Sequence, residues 1–190
     1  MESDSSPRSR ILNAADRLFY SNGYESTGIN RILQEAGAHK LSFYQYFPSK
    51  VDLALAYLRR QREAIASLLE VLFQKEDPLE MVQSWVRILK RQSRKSDFHG
   101  CPFANFSAQT LNQGDDFRSE LQAAIREWNE MLAAYFENAR AAGKLRSKIS
   151  GQSLARKFLT IYEGNAQLYL ITGRSQYLEN IYEDFRDLLD

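Results

Sequence analysis

The chain predicts an all-α fold, and three observations carry that reading. Apolar residues recur at three- and four-residue intervals from Ile11 to Leu188, and no stretch shows the two-residue alternation of a strand. Gly23, Gly37, Pro48, Pro78, Pro102, Gly143 and Gly173 punctuate these periodic runs. At 190 residues, 44% hydrophobic and 26% charged, the chain is globular and long enough for a small domain plus a larger one. About nine helices result. We expect an N-terminal three-helix helix-turn-helix domain over 1–52 and a larger C-terminal helical domain over 53–190.

The polar start up to Ser6 precedes a short basic arm, Pro7–Arg10. Such an arm can touch phosphates or the minor groove, and Arg10, at the helix start, is the better placed residue. Ile11, Leu12, Ala15, Leu18 and Phe19 then form one face of a first helix that Gly23 ends, with Tyr24 packed beneath it.

The stretch from Thr27 to Lys50 is the most informative. Ile29, Ile32, Leu33 and Ala36 define a short helix. Thr27 is its expected cap, since a threonine hydroxyl can accept from an orphaned backbone N–H, and Gly37 its expected end. The pattern restarts through Leu41, Ser42, Phe43, Tyr44, Gln45, Tyr46 and Phe47, and Pro48 stops it. Ser49 can cap the next helix at Lys50. Two short helices joined by a brief turn are a helix-turn-helix signal. Phe43 and Phe47, four apart, should pack inward. Lys40, Leu41, Ser42, Tyr44, Gln45 and Tyr46 are left around the other faces. Gln can pair with adenine through two hydrogen bonds, while Lys and Tyr reach phosphates or base edges.

Thr27, Ile32, Ala36, Gly37, Lys40, Ser42, Phe43, Tyr44, Tyr46, Phe47, Pro48, Ser49, Lys50 and Leu53 together resemble the DNA-binding signature of the tetracycline-repressor (TetR) family. The resemblance covers roughly the first 55 residues. It implies a dimeric regulator that binds operator DNA, most often as a repressor released by a small effector. Arg10, Thr27, Lys40, Leu41, Ser42, Tyr44, Gln45, Tyr46 and Lys50 are its expected DNA-binding residues. The chain departs from the family pattern at His39, Leu41 and Gln45, where Ser, Gly and His are usual. The last change alters what the helix would read, since Gln favours adenine.

From Ser49 the helical pattern runs without proline or glycine to about Gln74, a rise of roughly 35 Å at 1.5 Å per residue. The domain boundary therefore falls inside a helix. Asp77-Pro78 opens another helix, whose end carries Arg87, Lys90, Arg91, Arg94 and Lys95. This run suggests a nucleic-acid patch, but the stronger reading is that cations at a helix C-terminus complement the macrodipole and sit in solvent. A short helix from Phe103 to about Asn112 is closed by Gly114. Long helices follow from Asp115 or Asp116 to Gly143 and from Ser150 to Gly173, then a last one through Tyr177, Ile181, Tyr182, Phe185 and Leu188.

Aromatic residues crowd the second domain. Trp85, Phe103, Phe106, Trp128, Tyr162 and Tyr169 are candidate ligand contacts, with a polar minority of Asn105, Gln109, Asn129, Glu163 and Asn165. Apolar cavities with a few placed polar groups are how small-molecule sites are built. A core reading of the same aromatics stands beside it. Cys101, between Gly100 and Pro102 and close to His99, is either a reactive thiol at a helix start or an inert buried one. The resemblance extends to regulators that sense electrophiles through a cysteine in a comparable Gly-Cys stretch. The last two helices, with Ile161, Leu168, Ile181, Tyr182 and Phe185, are the expected homodimer interface.

Composition narrows the classes. A formal net charge of +1, and six Lys or Arg against five Asp or Glu in residues 1–50, do not fit a nonspecific nucleic-acid coat. DNA affinity must come from placed charges and a dimer's doubled contacts on a palindromic operator. One cysteine and no apolar run of membrane-spanning length lead us to expect a cytoplasmic protein without a membrane partner. Two histidines and one cysteine offer no metal cluster, and there is no Gly-rich phosphate loop, so no cofactor is implied. An enzyme built on Cys101 and His99 is one alternative, and we do not expect one; a helical adaptor without DNA binding would leave the polar face of Leu41 to Phe47 unexplained.

Overall fold

The computed structural model describes residues 6–110 and 115–189. Among the described residues there are nine α-helices and no strand: α1 (Pro7–Asn22), α2 (Ile29–Ala36), α3 (Lys40–Tyr46), α4 (Lys50–Leu72), α5 (Pro78–Arg94), α6 (Pro102–Thr110), α7 (Asp115–Ala141), α8 (Gly151–Thr172) and α9 (Gln176–Arg186). The expected closure of α6 between Asn112 and Gly114 lies outside the described residues, as does the polar start up to residue 5.

Local chemistry accounts for most of the ends. Ser6, Asp77 and Ser150 accept backbone N–H groups at the starts of α1, α5 and α8. Ser49 does the same for α4, accepting from Asp52 N–H at 3.2 Å and donating to its carboxylate at 2.6 Å. Gly37 ends α2 at φ 56°, with Ala38 N–H on Leu33 O and Gly37 N–H on Gln34 O. That pair of bonds is a Schellman closure and needs the left-handed residue.

The start of α2 differs from the expectation. The residue at the cap of α2 is Gly28, without a side-chain bond, and not Thr27. Thr27 is fully buried, and its hydroxyl donates to Gly23 O at 2.7 Å and to Leu18 O at 3.3 Å. It ties the turn to the end of α1.

The helices sort into two compact units. The first comprises residues 1–63 with Pro102–Gln122, and the second Ala64–Cys101 with Ala123–Asp190. The boundaries fall inside α4 and α7. Within the first unit α1, α2 and α3 pack on one another around Ile11, Leu18, Phe19, Ile32, Phe43 and Leu53. Residues 102–122, expected with the second domain, join this unit. Phe106 and Phe117 pack against Tyr24 at 5.0 and 5.5 Å between ring centroids, and Phe106 lies 6.1 Å from Tyr57. Glu120 of α7 receives Arg59 at 3.2 Å and Arg62 at 2.8 Å from α4.

In the second unit α9 packs on α5 and α8. Phe185 links the layers, 5.5 Å from Phe136 and 5.3 Å from Phe158. Ile181 and Phe185 are fully buried within the chain and so cannot form the pairing stripe expected of them. Exposed apolar residues here are Val71 on α4 and Ile125 on α7, at 68% and 39%, and Leu168, Leu170 and Ile171 on α8, at 42%, 36% and 70%.

Candidate nucleic-acid interface and effector unit

Helix α3 is short and needs tertiary support, because seven residues do not hold a helix alone. Phe43 and Phe47 supply it. Both are buried, with ring centroids 6.0 Å apart. Anchoring that face turns the rest of the helix outward. Lys40, Leu41, Tyr44, Gln45 and Tyr46 are exposed and Ser42 is half-buried. Leu41, at 85%, is the most exposed large apolar residue described. The ammonium of Lys40 sits 6.0 Å from the Tyr44 ring. A cation, an amide, two phenols and a bare leucine thus share one surface with hydrogen-bonding and apolar character. That is the equipment for base edges, phosphates and thymine methyl groups.

The flanking cations are held more tightly than the sequence implies. Arg10 Nε donates to Ala36 O at 3.2 Å, joining the start of α1 to the end of α2. The Arg8 guanidinium lies 5.7 Å from the Phe47 ring. Lys50 is half-buried, with its ammonium 4.0 Å from the centroid of Tyr24. Burial lowers its pKa while Glu25 acts in the opposite sense. The arrangement is a cation–π contact. Of the expected DNA contacts, Thr27 alone is wholly inside, so it supports the turn.

The first unit also holds a half-buried carboxylate. Asp16 Oδ2 meets Arg60 Nε at 3.1 Å, while Oδ1 is buried without a hydrogen-bond partner among the described residues. Burial raises its pKa to about 6 despite the opposing charges of Arg60 and Arg17. Here desolvation outweighs the ion pair.

Helix α6 touches the same unit through Gln109, a contact the sequence analysis missed. Gln109 Oε1 accepts Glu25 N–H at 3.2 Å. Gly23, at φ 89°, lies so close that a Cβ there would stand 2.5 Å from Gln109 Oε1. The only trace in the sequence is a glycine after α1, since the partner is 84 positions away from Glu25.

In the second unit the expected ligand residues separate. Trp85 is brought against Phe158 and Tyr162, at 5.2 and 5.3 Å, and Tyr169 packs on Phe98 at 5.7 Å. Trp128 is buried. Phe103 and Phe106 belong to the first unit. Of the polar minority, Asn165 is buried and donates to Asp184 at 2.8 Å, bridging α8 to α9. Glu163 forms a hydrogen bond with Cys101, and burial raises its carboxyl pKa. Cys101 itself is 3% exposed and precedes the first residue of α6. A groove of about 540 Å3 lies beside the stacked rings of Phe73 and Tyr135, which are 4.6 Å apart. No group of three or more metal-ligating side chains occurs among the described residues. No described helix is long and apolar enough to cross a membrane.

Comparison with known proteins agrees with this geometry. Residues 11–57 match the domain described as bacterial regulatory proteins, tetR family, and residues 79–185 match the tetracyclin repressor-like C-terminal domain. The HTH-type transcriptional regulator LmrA of Bacillus subtilis (strain 168) is 32% identical over 189 residues, covering 96% of each chain. The HTH-type transcriptional repressor NemR of Escherichia coli (strain K12) is 26% identical over 136 residues, 70% of this chain and 68% of that one. The crystal structure of E. coli NemR in its reduced form superposes with a TM-score of 0.88 at 23% identity, covering 97% and 98% of the two chains. With the outward face of α3 and both domain matches in place, the chain belongs to the tetracycline-repressor family of helix-turn-helix transcriptional regulators.

Proposed function

We propose that this regulator is a homodimeric repressor whose two α3 helices read the half-sites of a palindromic operator. The observation that carries the reading is the division of α3: Phe43 and Phe47 buried, Lys40, Leu41, Tyr44, Gln45 and Tyr46 presented outward. Ser42 and Lys50 stand at its edge. A single seven-residue helix offers few contacts, and two-fold pairing doubles them. The exposed pair Leu168 and Ile171, three apart on one face of α8, supports pairing through that helix. Repression as the sign follows the relative named a repressor. Acting on DNA places the protein in the cytoplasm.

The effector is a small apolar or aromatic molecule taken up by the second unit around Trp85, Trp128, Tyr162 and Tyr169. It releases DNA by favouring a state in which the two α3 helices no longer match the operator. It shifts that balance only by its difference in affinity for the two states. Three covalent routes join the second unit to the first: α4 and α7 are each continuous, and Cys101 leads directly into α6. Phe103, Phe106 and Gln109 of α6 are then transmitting residues.

A second reading makes Cys101 a thiol trigger. Its position before α6 favours it, but its surroundings do not favour a reactive resting thiol. The residue is buried and its partner is the Glu163 carboxyl, whose negative charge opposes thiolate formation. Noncovalent release is the primary reading. Fluorescence anisotropy on DNA upstream of the reading frame tests both. Tight binding lost on adding an aromatic effector supports the first. Tight binding lost only to a thiol-reactive electrophile, and kept by Cys101→Ser, transfers the trigger to Cys101.

A further inference from the structure

Helix α5 ends in a stripe of cations. Arg87, Lys90, Arg91, Arg94 and Lys95 follow the spacing i, i+3, i+4, i+7 and i+8, so they share one helix face, and together they line a concavity of about 440 Å3. Lys90 Nζ pairs with Glu179 of α9 at 2.5 Å, and Arg87 donates to Gln83 at 2.6 Å. Arg91, Arg94 and Lys95 are exposed. Among the described residues no carboxylate lies within ion-pair distance of these three.

A helix C-terminus carries about half a negative charge, felt within the last turn. That accounts for the sign of Arg91, Arg94 and Lys95. It does not account for Arg87 and Lys90, further back, or for the total. The stripe also sets like charges against each other at Arg87–Arg91, Lys90–Arg94 and Arg91–Lys95. Such i,i+4 pairs destabilise a helix. Glu179 offsets Lys90, and the repulsions among the other cations are what a bound polyanion would relieve.

We propose that this stripe binds the phosphate chain of a soluble polyphosphorylated small molecule, such as a nucleoside triphosphate. The five residues span roughly 12 Å along the axis, at 1.5 Å per residue, which suits a chain of about three phosphates. Arginine forks recognise phosphate oxygens in pairs of hydrogen bonds. A short polyanion fits better than a nucleic acid because acids bound the stripe. Glu179 is beside Lys90, Glu183 is one turn further on α9, which packs on α5, and Asp97 stands two residues after Lys95. A long phosphate backbone laid along the stripe would meet these carboxylates. The proposal does not rest on the operator or effector readings.

The test is isothermal titration of inorganic triphosphate into the full chain at about 50 and 200 mM salt. The wild type and the Lys40→Glu variant, which changes the α3 face, should bind one triphosphate per chain with affinities within about twofold. Binding should weaken at the higher salt. The double variant Arg91→Glu with Arg94→Glu should lose at least about tenfold. Both arginines are exposed, so the fold should survive. The neutral pair Arg91→Gln with Arg94→Gln gives a second reading with a smaller loss. No saturable binding by the wild type, or unchanged binding by both arginine variants, would overturn the proposal. So would a double variant that keeps triphosphate binding and loses affinity for operator DNA, which would assign the stripe to the DNA backbone.

Discussion

Tyr44 and Lys40 carry the sharpest claims at the scale of single residues. Both project from α3 while the neighbouring Phe43 anchors it. Tyr44→Ala and Lys40→Ala should each weaken operator binding by about 1–3 kcal/mol, the usual range for a base or phosphate contact. Thermal unfolding should be nearly unchanged. A loss of binding accompanied by unfolding would show that the residues hold the fold instead. Asp16 yields a pH prediction. Its folded pKa, about 6, lies above its ordinary value of 3.8. Between those values the folded state binds more protons than the unfolded state, so this group's contribution to stability falls as pH rises through that window. It is flat above about pH 7. The full difference is on the order of 3 kcal/mol. Asp16→Asn should therefore gain stability relative to wild type between pH 4 and pH 7, measured by thermal melts. A variant that instead loses ground steadily across that window would show that the Arg60 pair outweighs burial.

At the scale of elements, the contact between α6 and the turn after α1 is the most exacting. Gly23 combines a positive φ with a Gln109 oxygen 2.5 Å from where a Cβ would stand. Gly23→Ala should cost about 1–3 kcal/mol. Most of that loss should remain in the background Gln109→Ala, because the backbone strain stays when the side chain is cut. Complete rescue would mean that crowding alone sets the cost. On α8, Leu168 and Ile171 form the apolar surface that a second copy can cover. Leu168→Glu with Ile171→Glu should convert a dimer into a folded monomer by analytical ultracentrifugation, with operator affinity falling at least about a hundredfold. A dimer that persists would move the interface elsewhere.

For the molecule as a whole, the helices were legible because their ends obey local chemistry. Ser49, Asp77-Pro78, Ser150, Gly37 and Gly173 announce starts and stops within a few residues of themselves. The division of α3 was legible for a similar reason, since Phe43 and Phe47 fall four apart. What the sequence hid depends on long-range packing. Thr27 looked like a cap, but three-dimensional proximity to the end of α1 claims its hydroxyl. Ile181 and Phe185 looked like an interface, yet α9 uses that face inside the chain. Phe106 looked like a ligand contact, and only the fold sets it against Tyr24. Apolar periodicity identifies a face that must be covered; it does not name the cover.

The central claim is that two copies of α3 read two-fold related half-sites. Hydroxyl-radical footprinting on DNA selected by the purified protein tests it most directly. Two protected blocks related by two-fold symmetry are expected, with centres about one helical turn, 34–36 Å, apart or a multiple of it. Both should fade together in Tyr44→Ala. A single unsymmetrical block, or a footprint that Tyr44→Ala leaves unchanged, would contradict it.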